Sequence, residues 1–213
     1  MSDSNRETEV KFYVSNLLEI EMRLQQMEAH LIQPRVLEGN LRFDNPNGDF
    51  QREGRVLRLR QDEAIRLTYK DSSQLLDGAL SRREIEFAVS DFDSAKQFIE
   101  ALGYEVVFLY EKFRTTYLIQ TSETSEDLGS LEVHVMLDET PIGDFVEIEC
   151  AVETLKPIAK KLGLNWAAAV PAGYHNLFER VREARGLNFR DLSFENFKGI
   201  KVLADDVGVK SAD

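Results

Sequence analysis

The chain has 213 residues, 43% of them hydrophobic and 30% charged, with a formal net charge of -12. That length fits one domain, or one domain with a small appendage, and is enough to bury a sizeable core. The acidic balance argues against a nucleic-acid partner, no run approaches the roughly 20 apolar residues of a membrane span, and the lone cysteine, Cys150, excludes an intrachain disulfide. The polar start MSDSNRETEV lacks the apolar centre of a secretory signal, so a cytoplasmic location without membrane association is the expectation.

In chain order, residues 7–14 alternate as a strand. Residues 17–31 carry Leu17, Ile20, Leu24, Met27 and Leu31 at the spacing of one helix face. Residues 36–44 read as a strand, followed by a turn over Asn45, Pro46, Asn47 and Gly48. Residues 56–60 and 65–70 form a hairpin pattern around 61–64, and residues 80–89 a further strand. A helix is expected over 92–102, capped by Asp91 or Asp93 and stopped at Gly103. Strands follow at 106–120, 131–138 and 145–152, with an acidic, Ser/Thr-rich loop at 123–129. Helices at 155–162 and 174–184 end at Gly163 and Gly186, and the tail after Lys198 has no clear period and is expected to fray. About eight strands suit a small closed barrel. The expected fold class is α+β: a closed antiparallel β-barrel flanked by helices.

The charges fall on one face of these strands, because side chains alternate with period two. Glu7, Glu9 and Lys11 share a face; so do Val56, Arg58 and Arg60; Arg66, Thr68 and Lys70; Arg82, Glu84 and Glu86; Lys112, Arg114 and Thr116; and Glu147 with Glu149. For any one strand, a solvated outer face is the simpler explanation. Across all of them the ionised residues repeat at strict spacing and are sorted by sign: the first and last strands are mainly acidic, and those around Arg58, Lys70 and Lys112 are basic. Clustered carboxylates suit a hard divalent cation, and clustered Arg and Lys suit polyphosphate oxygens. The pattern therefore predicts a polar tunnel inside an apolar shell.

The segments ETEVKF, LRFDNP, VLRLR, IRLTYKD, RREIEF, EKFRTTY and VMLDETPIGDFVEIE occur in this order, with GYHNLF further on. Together they resemble the CYTH superfamily, also called triphosphate tunnel metalloenzymes, whose named members are class IV adenylate cyclases and thiamine triphosphatases. The resemblance covers about residues 7–187. It implies a domain over 1–187 and an extension, partly disordered, over 188–213.

Carried over residue by residue, the resemblance implies that Glu7, Glu9, Glu147 and Glu149 ligate Mg²⁺ or Mn²⁺, with Asp138 nearby. Glu84 and Glu86 would help a second metal or orient water, and Lys11, Arg58, Arg60, Lys70, Lys112 and Arg114 would grip phosphates, with Arg82 as an addition. Lys11, Glu84 and Glu86 are the expected catalytic residues. The partner implied is a small-molecule triphosphate, and a homodimer is compatible with the resemblance. Hydrolysis of a triphosphate, inorganic or organic, is the leading activity. Cyclisation of ATP to cyclic AMP is the alternative, and a polyphosphate- or nucleotide-binding module without turnover is a third.

Other candidates have simpler structural explanations. His134 shares the phase of Glu132 and Asp138 but reads first as structural; His30 and His175 lack a paired ligand spacing for zinc. Cys150 reads as a buried small hydrophobe, and Trp166 as packing.

Overall fold

The computed structural model describes residues 6–121 and 131–213. The expected loop at 123–129 lies outside the described residues. Nine strands form one sheet: β1 (Arg6–Val14), β2 (His30–Asp44), β3 (Val56–Gln61), β4 (Ile65–Lys70), β5 (Gln74–Leu76), β6 (Ala79–Ala88), β7 (Glu105–Thr121), β8 (Leu131–Thr140) and β9 (Gly143–Glu149). The sheet order is β1-β9-β8-β7-β2-β3-β4-β6-β5, and β1 also pairs with β6. That last pairing closes eight strands into an antiparallel barrel, with the three-residue β5 attached to β6 outside the ring.

Helices α1 (Leu17–Gln26), α3 (Phe92–Ala101), α4 (Val152–Lys161) and α5 (Tyr174–Arg185) pack around it, with short α2 (Asp49–Glu53) and α6 (Ala204–Val207) in the connections. None of the described helices is long and apolar enough to cross a membrane.

The apolar core lies mostly between the barrel and these helices. Val10, Phe12 and Val14 of β1, Val133 and Val135 of β8 and Val146 and Ile148 of β9 meet Ile20 and Leu24 of α1 and Leu155 and Ile158 of α4. A second cluster sets Phe43 and Leu59 against Ile99 of α3. Each fully buried side chain of this kind contributes about 1.5–3 kcal/mol. At one end of the barrel the inward-facing row itself turns aromatic, and Phe108, Tyr110 and Phe145 pack against Tyr174, Leu177 and Phe178 of α5.

Several element ends differ from the pattern reading. Helix α1 stops at Gln26, five residues early, because Glu28 adopts a left-handed φ of 56° and Ala29 turns back to bond Leu24. The chain then enters β2 at His30, and a register shift between Gln33 and Val36 accommodates Pro34 within the strand. The turn at 45–48 continues into α2, where Asp44 accepts the Phe50 and Gln51 amides at 2.9 and 2.8 Å. The β8–β9 turn requires Gly143, which has a φ of 122° and would bring a Cβ within 2.5 Å of the Tyr13 ring.

The tail after α5 packs on the barrel. Residues of β7 that lie beyond the reach of β8 are covered by Leu192, whose amide bonds Leu109 O at 2.9 Å while Glu111 N bonds Leu192 O at 2.9 Å. Leu192, Phe197 and Val207 are buried against α5, and Asp213 accepts hydrogen bonds from the amides of Ser15 and Asn16 at 2.9 Å. The strap thus ties β7, α5 and the end of β1 together. Its anchors are single large side chains spaced too irregularly to show a period. Leu192→Ala is expected to lower unfolding free energy by about 2–5 kcal/mol; a urea titration measures it, and a loose tail would leave it unchanged.

Candidate active site

The closed register turns the charged rows inward and matches them across strands. Lys11 stands opposite Glu147, Glu7 opposite Arg82, Lys70 opposite Glu84, Glu38 opposite Lys112 and Arg114 opposite Asp138. They enclose a cavity of about 680 Å³ whose wall includes Glu7, Glu9, Lys11, Arg58, Arg60, Lys70, Arg82, Glu84, Glu86, Lys112, Arg114, Glu147 and Glu149. Thirteen of the fourteen residues expected from the sequence therefore share one chamber, and the fourteenth, Asp138, lies behind it. Lys11, Arg58, Lys70, Lys112, Arg114 and Glu147 are the most buried of these, each 2–9% exposed.

Asp138, expected near the metal, stands apart from the other carboxylates. It is fully buried and does not line the cavity. Its oxygens accept from Lys112 Nζ at 3.0 Å, from Arg114 Nε and Nη2 at 2.6 Å each, and from the Tyr174 hydroxyl at 2.6 Å. Oδ2 takes three of these bonds and Oδ1 one, so the carboxylate is engaged by two cations and a hydroxyl. Glu147 lines the cavity, but its two oxygens are taken by Lys11 and Arg114. Burial alone would raise its carboxyl; Lys11, Arg114 and Lys112 more than offset that and hold it well below the ordinary range.

The remaining carboxylates gather around Glu7. Lys70 Nζ donates to Glu7 at 2.8 Å, and Glu84 and Glu149 hydrogen-bond to it as well. Burial and the charge of Glu7 push Glu149 up to about 9, and burial with the Glu7 hydrogen bond pushes Glu84 up to about 7. Burial opposes ionisation of Glu7 too, yet the Glu84 hydrogen bond and the Lys70 ammonium hold it below the ordinary range. Glu9 stands directly opposite Glu149 and is met by Arg82 at 3.3 Å, so the repulsion between the two carboxyls is relieved by Arg82 and by the proton that Glu149 retains.

Among the described residues, no three His, Cys, Asp or Glu side chains form a ready-made metal cage. Hard oxygen donors that share protons still fit a divalent cation, because a cation can replace those protons and Mg²⁺ completes its shell with phosphate and water. Glu7, Glu9 and Glu149 are the residues that suit it.

Several wall residues escaped the sequence reading. Glu38, 1% exposed, lies 3.6 Å from both Arg60 and Lys112. Arg42 shares its face of β2 and lines the cavity. The period-two row Glu38, Asn40, Arg42, Asp44 was visible in the sequence, as was the His134 phase; His134 lines the cavity wall. Tyr110, Tyr174 and His175 also line it, the last two from α5, and no strand pattern could announce them. Cys150 is only half-buried, but it packs against the core, and burial first, then Glu149, pushes its thiol up to about 12. Trp166 packs edge-on to Phe12 at 5.9 Å.

The sequence profile of the CYTH domain matches residues 5–161. The chain belongs to the CYTH family. A Methanocaldococcus jannaschii protein named a putative adenylate cyclase is 24% identical over 161 residues, 75% of this chain and 90% of that one. Among solved structures, a Vibrio parahaemolyticus protein, also named a putative adenylate cyclase, aligns with a TM-score of 0.69 at 21% identity, covering 81% of this chain and 97% of its own. A Hippeastrum protein, called a putative adenylyl cyclase with a dominant triphosphatase activity, aligns with a TM-score of 0.58 at 17% identity, covering 81% and 95%. These likenesses fix the CYTH barrel; residues 162–213, including Tyr174, His175 and the strap, lie beyond the family match.

The acidic cluster predicts a pH effect. Glu149 and Glu84 hold protons in the folded state above the ordinary carboxyl value of 4.5. The metal-free fold therefore loses stability as pH rises through about 7 and then about 9. A divalent cation that displaces these protons should stabilise more at pH 9 than at pH 6. Melting temperatures with and without Mg²⁺ at the two pH values test this, and an equal shift at both would contradict it.

Proposed function

We propose that this CYTH protein is a divalent-metal-dependent triphosphatase acting on a small-molecule triphosphate, inorganic or organic, inside its barrel. The observation that carries this reading is the juxtaposition, in one chamber, of a proton-sharing Glu7–Glu84–Glu149 cluster and buried Lys11, Lys112 and Arg114. Such a chamber suits a cation and a polyanion bound together.

Lys11, Arg58, Arg60, Lys70, Arg82, Lys112 and Arg114 bind the phosphate oxygens. Arg114 and Lys112 are held in place by Asp138, and Lys11 by Glu147, so little reorganisation is needed when charge develops on the phosphoryl group. Mg²⁺ or Mn²⁺ on Glu7, Glu9 and Glu149 would supply further charge neutralisation and polarise the phosphoryl oxygens. Glu84, raised to about 7, is suited to accept the proton of the attacking water near neutral pH. Glu86 accepts from Thr68 at 2.7 Å and Arg60 at 3.2 Å, which orients it beside the cations. Water attacks the terminal phosphorus, the bridging P–O bond breaks, and inorganic phosphate leaves with the shortened chain.

Cyclisation of ATP is the second reading, favoured by the names of the Methanocaldococcus and Vibrio relatives. The rings on the cavity wall argue for hydrolysis. Tyr110 stacks on Phe108 at 5.6 Å, His175 meets Phe108 at 4.6 Å, and Tyr174 packs against Phe145 at 5.4 Å. They are engaged with protein neighbours and not arranged as an open slot for a base.

Tripolyphosphate with Mg²⁺ or Mn²⁺ is expected to yield inorganic phosphate, and Lys11→Ala to slow release about 100-fold or more. ATP is expected to yield ADP and phosphate; cyclic AMP and pyrophosphate would establish the second reading instead. No phosphate from a broad triphosphate panel would leave a binding module.

A further inference from the structure

Most cations of the cavity wall face a carboxylate. Lys11 meets Glu147, Lys70 meets Glu7, Lys112 and Arg114 meet Asp138, Arg60 meets Glu86, and Arg82 meets Glu9. Arg42 lines the same cavity and makes no hydrogen bond or ion pair among the described residues.

Its surroundings make that charge costly. Arg42 stands directly opposite Arg58 in the β2–β3 register, and like charges so placed destabilise a sheet. The next side chain on its face of β2, Asp44, is already committed: its oxygens accept the amides of Asn45, Phe50 and Gln51 at 2.8–2.9 Å. Arg58 is only 9% exposed; its Nη atoms donate to Tyr110, Thr68 and Glu86 at 3.3–3.5 Å, so Glu86 is shared with it, while its Nε has no hydrogen-bond partner among the described residues. Burial pulls the Arg42 guanidinium below its ordinary range; Tyr110 and the charge of Asp44 oppose this, and Arg82 and Arg58 add to it.

Helix α5 also opens onto this cavity. Gly173, Tyr174 and His175 line the wall, no side chain caps the first turn, and no acidic residue stands in it. An uncapped helix start offers free amides and a partial positive charge. Two facing guanidiniums and a helix N-terminus therefore share one chamber, and among the described residues no carboxylate forms an ion pair with Arg42.

We propose that Arg42, together with Arg58 and the first turn of α5, forms an anion subsite that holds one phosphoryl group of the bound substrate, and that the charge of Arg42 is met only by that ligand. The inference rests on the triphosphate reading and deepens it: Arg42 is a substrate-binding residue outside the carboxylate-paired set. It also sets a signature that a structural arginine lacks. Removing a repelled, unpaired cation relieves the ligand-free protein, whereas removing a structural one weakens it.

The test is thermal unfolding of the full chain, in EDTA, over a range of inorganic tripolyphosphate concentrations, for wild type, Arg42→Gln and Arg42→Lys. Without ligand, Arg42→Gln is expected to melt at or above the wild-type temperature. Its tripolyphosphate affinity, read from the concentration dependence of melting, should fall about tenfold or more, the loss of one charge-assisted contact. Arg42→Lys, which keeps the charge without the planar fork, should recover part of that affinity. Equal affinity in wild type and Arg42→Gln overturns the inference, even if phosphate release is observed. If Arg42→Gln both melts lower and binds weaker, recovery by Arg42→Lys upholds the subsite and its absence overturns it. Failure of hydrolysis is a separate result, because this experiment reads binding without turnover.

Discussion

The structure depends on keeping ionised side chains inside a closed barrel. An isolated charge taken out of water costs several kcal/mol even after relaxation. The barrel meets that cost by register. Lys11 opposite Glu147, Lys70 opposite Glu84, Glu38 opposite Lys112 and Arg114 opposite Asp138 are rungs of the sheet itself. A slip of one residue would turn these groups onto the helices and the valines and phenylalanines into the chamber. The same alternation that neutralises the interior therefore places the apolar core outside, under α1, α3 and α4.

The departures from neutral pairing carry the functional information. Glu9 opposite Glu149, and Arg42 opposite Arg58, are rungs of like residues, two carboxyls and two guanidiniums, the first sharing protons with its neighbours. Local energetics disfavour both, and in the proposed function each is a point where a ligand's charge would complete the structure: a cation at the first, an anion at the second. Sign sorting along the sheet makes the chamber bipolar, and a metal-bound polyphosphate has the complementary polarity. Asp138 and Glu147 belong to a different layer of this arrangement. Their oxygens are spent on Lys11, Lys112 and Arg114, fixing those cations before any ligand arrives.

Much of this was legible in the sequence, because it is written in period two. The inward rows of Glu7, Glu9 and Lys11, or of Arg58 and Arg60, need only strand alternation to be found, and the strand count implies closure. Three things were hidden for physical reasons. Asp138 shares the phase of the cavity rows, but its burial behind Arg114 is a matter of depth, which alternation does not encode. The break of α1 depends on the left-handed backbone of Glu28, a conformation no helical period signals. The strap after α5 is held by widely spaced anchors such as Leu192 and Phe197, whose partners lie on β7 and α5 far away in the chain. Arg42 is a different case: its row was plain in the sequence, and only the absence of a partner in the fold sets it apart.

The central claim is that the interior charges exist for the ligand and are only tolerated by the fold. Tripolyphosphate titration of a folded double variant, Lys11→Met with Glu147→Gln, tests it most directly, because replacing a whole buried ion pair by apolar or neutral groups of similar volume is often harmless to stability. The account predicts a variant that unfolds at or above the wild-type denaturant midpoint and has lost tripolyphosphate binding. Wild-type affinity in the folded double variant would contradict it.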